Sequence, residues 1–95
     1  MNKLEQLDNS LIKICKLLKC SSSATWAEAF EHLQRDLRES PSTGVTKILA
    51  TYGGMSSFND VVLYSNGILM RSENKELDQL RSEIFNICQE LRSIY

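Results

Sequence analysis

The sequence predicts a mainly α domain, a four-helix bundle-like fold with a short β-hairpin inserted before the last helix. Leu4, Leu7, Leu11, Ile14 and Leu18 near one end, and Leu77, Leu80, Ile84, Ile87, Cys88, Leu91 and Ile94 near the other, recur at spacings of three and four. That periodicity marks amphipathic helices. Asn66-Gly67 stands between two β-favouring runs, residues 61–64 and 68–70, the strongest short hairpin signal. Between the helical half and the hairpin lies the loop Gly53-Gly54-Met55-Ser56-Ser57-Phe58-Asn59-Asp60.

The first helix covers about residues 2–19, with Ile12, Cys15 and Leu17 widening its apolar stripe. Lys13, Lys16 and Lys19 gather toward its C-terminal end, where cations complement the helix dipole. Residues 20–23 break the pattern. Thr25 and Glu28 have the spacing of a capping box, which starts a second helix at Trp26. Trp26, Phe30, Leu33 and Leu37 share its inner face, placing Trp26 in the core, and His32 falls at the stripe's edge. Ser40-Pro41 stops this helix, because the residue before a proline is pushed out of the α region. A third helix presents Val45, Ile48, Leu49 and Tyr52 on one face and ends at Gly53.

In the loop, Gly53 and Gly54 can take positive φ, and Met55 and Phe58 turn inward. Ser56, Ser57, Asn59 and Asp60 have short polar side chains that bond nearby backbone, which makes a rigid corner. Residues 61–71 then form the hairpin. A two-residue turn sets Leu63 opposite Met70 and Tyr64 opposite Leu69, so both faces are apolar and the helices must cover at least one. The competing reading makes residues 59–64 a helical turn capped by Asn59. The last helix starts after residues 72–74, with Ser72 and Asn74 read as caps and Glu73, Glu76 and Asp78 near its positive end.

This loop, with Trp26-Ala27 upstream and Leu-Asp-Gln-Leu-Arg-Ser-Glu-Ile-Phe downstream at residues 77–85, resembles a family of small uncharacterised bacterial domains in which it usually reads GGMGS(F/L)ND. The resemblance covers roughly residues 4–91. It implies a small, mostly helical cytosolic domain, and the family has no established activity to carry over. Ser56 stands where that family has glycine, which bears on the loop's backbone angles, since serine adopts positive φ poorly.

Ninety-five residues, 42% hydrophobic and 24% charged, make one domain over residues 1–95. A net charge of -1 leaves no global electrostatic footprint for nucleic acid or an anionic membrane. Three cysteines without a CxxC, beside a single histidine, argue against a disulfide framework or a zinc site. Cys15 and Cys88 read as core thiols in a reducing compartment. Lys3, Glu5 and Asp8 within an apolar pattern are unlike a targeting peptide, and no apolar run spans a membrane, so the expected location is cytoplasmic.

A serine or cysteine nucleophile needs a base within reach, and His32 is the only candidate. Nothing in the spacing brings it to Ser57 or Asp60. Gly53-Gly54 follows a helix instead of leading into one, unlike a phosphate-cradling loop. Glu73, Glu76 and Asp78 lack the spacing of a calcium loop. The expectation is therefore a non-enzymatic protein-binding module with no cofactor and no metal. Ser57, Asn59 and Asp60 would supply the corner, Tyr64, Leu69 and Met70 apolar anchors if one hairpin face stays exposed, and Glu73 and Glu76, with Asp60 and Asp78, an acidic patch for a basic partner such as a toxin. Size and composition suggest, by analogy, a bacterial toxin-immunity protein or antitoxin. The alternatives are a nucleic-acid-binding regulator using Lys13, Lys16, Lys19, Arg35 and Arg38, although no helix-turn-helix with a basic recognition helix is visible, or a structural domain whose loop is only a fold-defining corner. A homodimer closed by the second hairpin face is left open.

Overall fold

The computed structural model describes residues 2–21, 23–53 and 57–95. Helices α1 (Lys3–Lys19), α2 (Ala24–Glu39) and α3 (Pro41–Ala50) precede a 3-10 turn (Phe58–Asp60), strands β1 (Tyr64–Ser65) and β2 (Ile68–Leu69), and α4 (Arg71–Arg92). Each helix packs on its neighbour in the chain, and α4 closes the ring against both α3 and α1. This is the expected bundle with a hairpin before the last helix. The stripes meet in one core in which Leu7, Leu11, Ile14, Leu18, Phe30, Ile48, Leu77 and Ile84 are fully shielded from solvent. Phe58 and Leu63 reach into it from outside the helices.

Several boundaries differ from expectation. Helix α2 begins at Ala24, because the Ser23 carbonyl already accepts the Ala27 N–H at 3.0 Å. Thr25 therefore lies inside the first turn, and the capping box is not formed. Helix α3 ends at Ala50, where Thr51 and Tyr52 donate to Ile48 and Leu49 in i→i−3 fashion and tighten the last turn. Gly53 does take a positive φ of 141°, two residues past the helix cap at Thr51. Gly54, Met55 and Ser56, and with them the expectations for their backbone angles and for Met55 turning inward, lie outside the described residues. Trp26 is half-buried at the core's edge, packed on Phe30 and Phe58. Ile12, on the flank of α1, and Ile94, beyond the end of α4, are exposed.

Close packing of α2 on α3 depends on Gly44, in the first turns of α3. A Cβ added there would lie 2.5 Å from the Leu37 Cα, too close for any side chain. Backbone atoms cannot rotate away, so Gly44→Ala must push the two helices apart. We expect a loss of about 1–3 kcal/mol, the usual cost of overpacking, read as a lowered urea midpoint. Gly44→Ala with an unchanged midpoint would show the α2–α3 crossing to be more forgiving.

Cys15 and Cys88 are buried free thiols and Cys20 is exposed. Burial raises the Cys88 thiol from 9.0 to about 12 and the Cys15 thiol to about 11, and it raises the Tyr52 hydroxyl as well. In the unfolded chain these groups ionise near their ordinary values, so above about pH 9 the unfolded state binds fewer protons than the native state. Their contribution to stability is complete below that pH and declines as pH rises toward the folded values. Two outcomes follow. A thiol reagent should modify Cys20 alone in the native protein, and the urea midpoint should fall steadily above about pH 9. Rapid modification of all three thiols under native conditions would contradict this burial.

Candidate functional site

The corner is held by bonds from three directions. The Phe58 N–H donates to the Thr51 carbonyl at 2.9 Å, tying the two ends of the loop together. Ser57 Oγ accepts the Asn59 N–H at 3.3 Å and caps the 3-10 turn. Residues 59–64 do not continue as a helix, since the turn closes at Val61 in extended backbone. The third set of bonds comes from Arg81, on α4. Its Nη1 donates to the carbonyls of Phe58 at 2.8 Å, Asn59 at 3.2 Å and Val61 at 3.0 Å. Its other terminal nitrogen pairs with Asp78. The guanidinium also stands over the Phe58 ring, 5.7 Å from its centroid.

Beneath that guanidinium is an aromatic cluster. Phe58 is fully buried, with ring centroids 4.5 Å from Phe30, 5.3 Å from Trp26 and, edge-on, 5.7 Å from Tyr52. Tyr52 continues the cluster to Phe85 at 5.2 Å and donates its hydroxyl to the Arg81 carbonyl at 2.9 Å. Among the described residues, the end of the corner from Ser57 to Val61 is thus braced by α4 as well as by the Ser57 side chain.

The hairpin has the expected register, Tyr64 paired with Leu69 and Ser65 with Ile68. Asn66 and Gly67 both take positive φ, 52° and 78°, as a two-residue turn matched to strand twist requires. Asn74 staples its base to α4. The Leu63 N–H donates to Asn74 Oδ1 at 2.7 Å, and Asn74 Nδ2 donates to the carbonyls of Leu63 at 3.0 Å and Met70 at 2.7 Å. This corrects the reading of Asn74 and Ser72 as helix caps. Helix α4 already starts at Arg71, because the Met70 carbonyl accepts the Asn74 N–H, and the Asn74 side chain is left to bond the strand. Asn74→Ala should cost about 1–3 kcal/mol, the usual range where buried backbone groups lose their partner. It should also speed hydrogen exchange at the Leu63 amide; exchange at the wild-type rate would argue against the staple.

Pleating divides the hairpin's side chains. On one face Leu63 is fully buried and Met70 half-buried, while on the other Val62, Tyr64 and Leu69 are 46%, 43% and 44% exposed. Ile68, next to the turn, is 71% exposed. The helices therefore cover only the base of one face, and the other remains an apolar surface.

The remaining residues expected at a binding site fall in two places. Asn59, exposed, borders a cleft of about 530 Å³ between the corner and α4 that also holds Asp78 and Arg81. Asp60 is exposed beside it, and Ser57 serves as the cap. Glu73 and Glu76 instead line a cleft with Lys13, Lys16, Leu17 and Cys20 of the α1 end. Glu76 and Asp78 are two positions apart, roughly 160° around a helix. The four acids consequently do not form one patch, and Glu73 and Glu76 face lysines. The basic residues are similarly matched by acids, with Lys19 on Glu31 at 2.8 Å and Arg38 near Asp8 at 3.6 Å, while Arg35 contacts His32, which is exposed on α2. Among the described residues, no group of three or more His, Cys, Asp or Glu is placed to hold a metal ion, and no helix is long and apolar enough to cross a membrane.

The sequence reading gives Arg81 no role and Asn74 only that of a cap, yet a signal for both is present. Arg81 falls four residues after Leu77 and three before Ile84, so a guanidinium interrupts a buried stripe. Asn74 likewise precedes Leu77 by three. A polar residue on an apolar face needs a tertiary partner.

A bundle whose loop and hairpin are stapled onto its last helix is the class of domain these features define. The chain belongs to the family described as Domain of unknown function (DUF6966), whose model matches residues 21–71. No curated protein and no solved structure matches the chain. The matched stretch contains α2, α3, the corner and the hairpin, and it ends where α4 begins. Asn74 and Arg81 lie beyond it.

Proposed function

We propose that this domain is a non-enzymatic protein-binding module whose contact surface is the open face of the hairpin. The observation that carries the reading is the exposure of Val62, Tyr64 and Leu69 together on one face. Apolar side chains grouped on a rigid, stapled element are what a partner can use as anchors at low entropic cost. A catalytic reading has less support, because His32 is exposed on α2 and bonded to Arg35. A nucleic-acid reading is weakened by the ion pairs that occupy Lys19 and Arg38.

Among protein-binding domains of this size, a bacterial toxin-immunity protein or antitoxin acting in the cytoplasm is the analogy drawn from size and composition. The anchors in this reading are apolar, and charge on Asp60, Glu73 and Glu76 has at most a steering role. Pull-downs from the native host with three baits separate the two contributions. Wild type should retain a discrete protein, the variant with Tyr64→Ser and Leu69→Ser should lose it, and the variant with Asp60, Glu73 and Glu76 changed to lysine should retain it, with slower association at low salt. Loss of the protein from the lysine variant alone would assign the contact to the acids instead.

A further inference from the structure

We propose that the cleft between the corner and α4 is a subsite for a guanidinium group, and that an arginine side chain of the partner protein occupies it. The reasoning starts from the two charges that border it. Arg81 is spent inward. Its side chain is only 13% exposed, and its terminal nitrogens are committed to three backbone carbonyls and to Asp78. Asp78 is turned the other way, 69% exposed, and one of its oxygens binds Arg81. The more solvent-exposed member of this ion pair is therefore the carboxylate, which is placed to accept from a cationic donor in the cleft.

The rest of the lining selects a planar cation over a compact one. Tyr52 and Phe85 supply aromatic surface, their ring centroids 5.2 Å apart, suited to a flat, weakly hydrated guanidinium. Asn59, Ser82 and Asn86 border the same cleft and offer neutral oxygen acceptors. A guanidinium carries five donors in a fixed fork and needs several acceptors around one plane. An ammonium ion would use fewer of them. The protein already contains this combination once, in Arg81 itself, which stands over Phe58 while bonding carbonyls and Asp78.

The subsite rests on the protein-binding reading only for the identity of its occupant. It is tested without any partner, by following the ¹⁵N–¹H spectrum of the full chain during titration with the amide of N-acetyl-arginine at millimolar concentrations. Saturable shifts should appear at Asn59, Ser82, Phe85 and Asn86. The matching citrulline derivative, which has the same shape without the charge, should leave these signals in place. The lysine derivative should need several-fold higher concentration. Asn86→Lys, at an exposed position of α4, should abolish the shifts while keeping a folded spectrum, and Phe85→Leu should weaken binding several-fold. Absence of shifts with the arginine derivative, equal shifts with citrulline, or shifts centred on the α1 end would each overturn the proposal. Failure of the hairpin pull-downs alongside a positive titration would reject the partner reading and leave the subsite standing.

Discussion

Replacing Phe58 by alanine is expected to lower the stability of the domain by about 3–5 kcal/mol, the range for deleting a buried phenylalanine. Phe58 has no solvent exposure and contacts three rings from two separate segments, Trp26 and Phe30 on α2 and Tyr52 after α3. Its removal would leave a cavity that these rings cannot close together, since each is fixed by its own backbone. It would also leave the Arg81 guanidinium without the ring face beneath it. A domain of this size has a total stability on the order of 5–15 kcal/mol, so the variant should be largely unfolded at moderate urea. Phe58→Leu, which keeps much of the volume, should lose roughly half as much. A midpoint shift below about 1 kcal/mol for the alanine variant would mean that Phe58 is not the centre of the corner.

Arg81→Met should cost about 2–4 kcal/mol, although it keeps an apolar stem of similar length. Three carbonyls of the corner lose a charged donor, and those of Phe58 and Val61 are part-buried groups with little water to replace it. Arg81→Lys should recover only part of this loss, because an ammonium group cannot reach the carbonyls and Asp78 with one planar fork. Asp78→Asn should cost less than about 1 kcal/mol, as exposed ion pairs contribute little. The ordering Met, then Lys, then Asp78→Asn, from largest to smallest loss in urea denaturation, is the expected result. Equal losses for Arg81→Met and Asp78→Asn would transfer the role to the ion pair.

These two residues show where sequence reasoning reached and where it stopped. The four helices, the Asn66-Gly67 turn, the pairing of Tyr64 with Leu69 and the burial of Cys15 and Cys88 all follow from periodicity or local turn chemistry, which act over a few residues. The starts of α2 and α4 lie earlier than their cap-like side chains suggest, because the backbone ladder begins wherever a carbonyl first finds its i+4 amide. Arg81 bonds carbonyls 20 to 23 residues away and Asn74 bonds Leu63 across 11, so neither role has a local signature beyond a polar residue on an apolar stripe. The acidic patch failed for a related reason. Proximity in sequence put Glu73, Glu76 and Asp78 together, whereas the helical angle sends them to different sides. Alternation in a strand is a local rule and puts Tyr64 and Leu69 on one face and Leu63 and Met70 on the other. Which face the helices cover is set by tertiary packing, and they cover that of Leu63 and Met70.

The most direct test of the proposed function is site-specific photo-crosslinking in the native host. Tyr64 is replaced by p-benzoylphenylalanine, a side chain of related shape on the open hairpin face. The same probe at exposed Gln89 serves as control, 18 residues along α4 from its start and so roughly 27 Å from the hairpin end. Irradiation should yield one discrete protein adduct from position 64 and none of that mass from position 89. No adduct from position 64, or the same adducts from both positions, would contradict a binding surface on the hairpin.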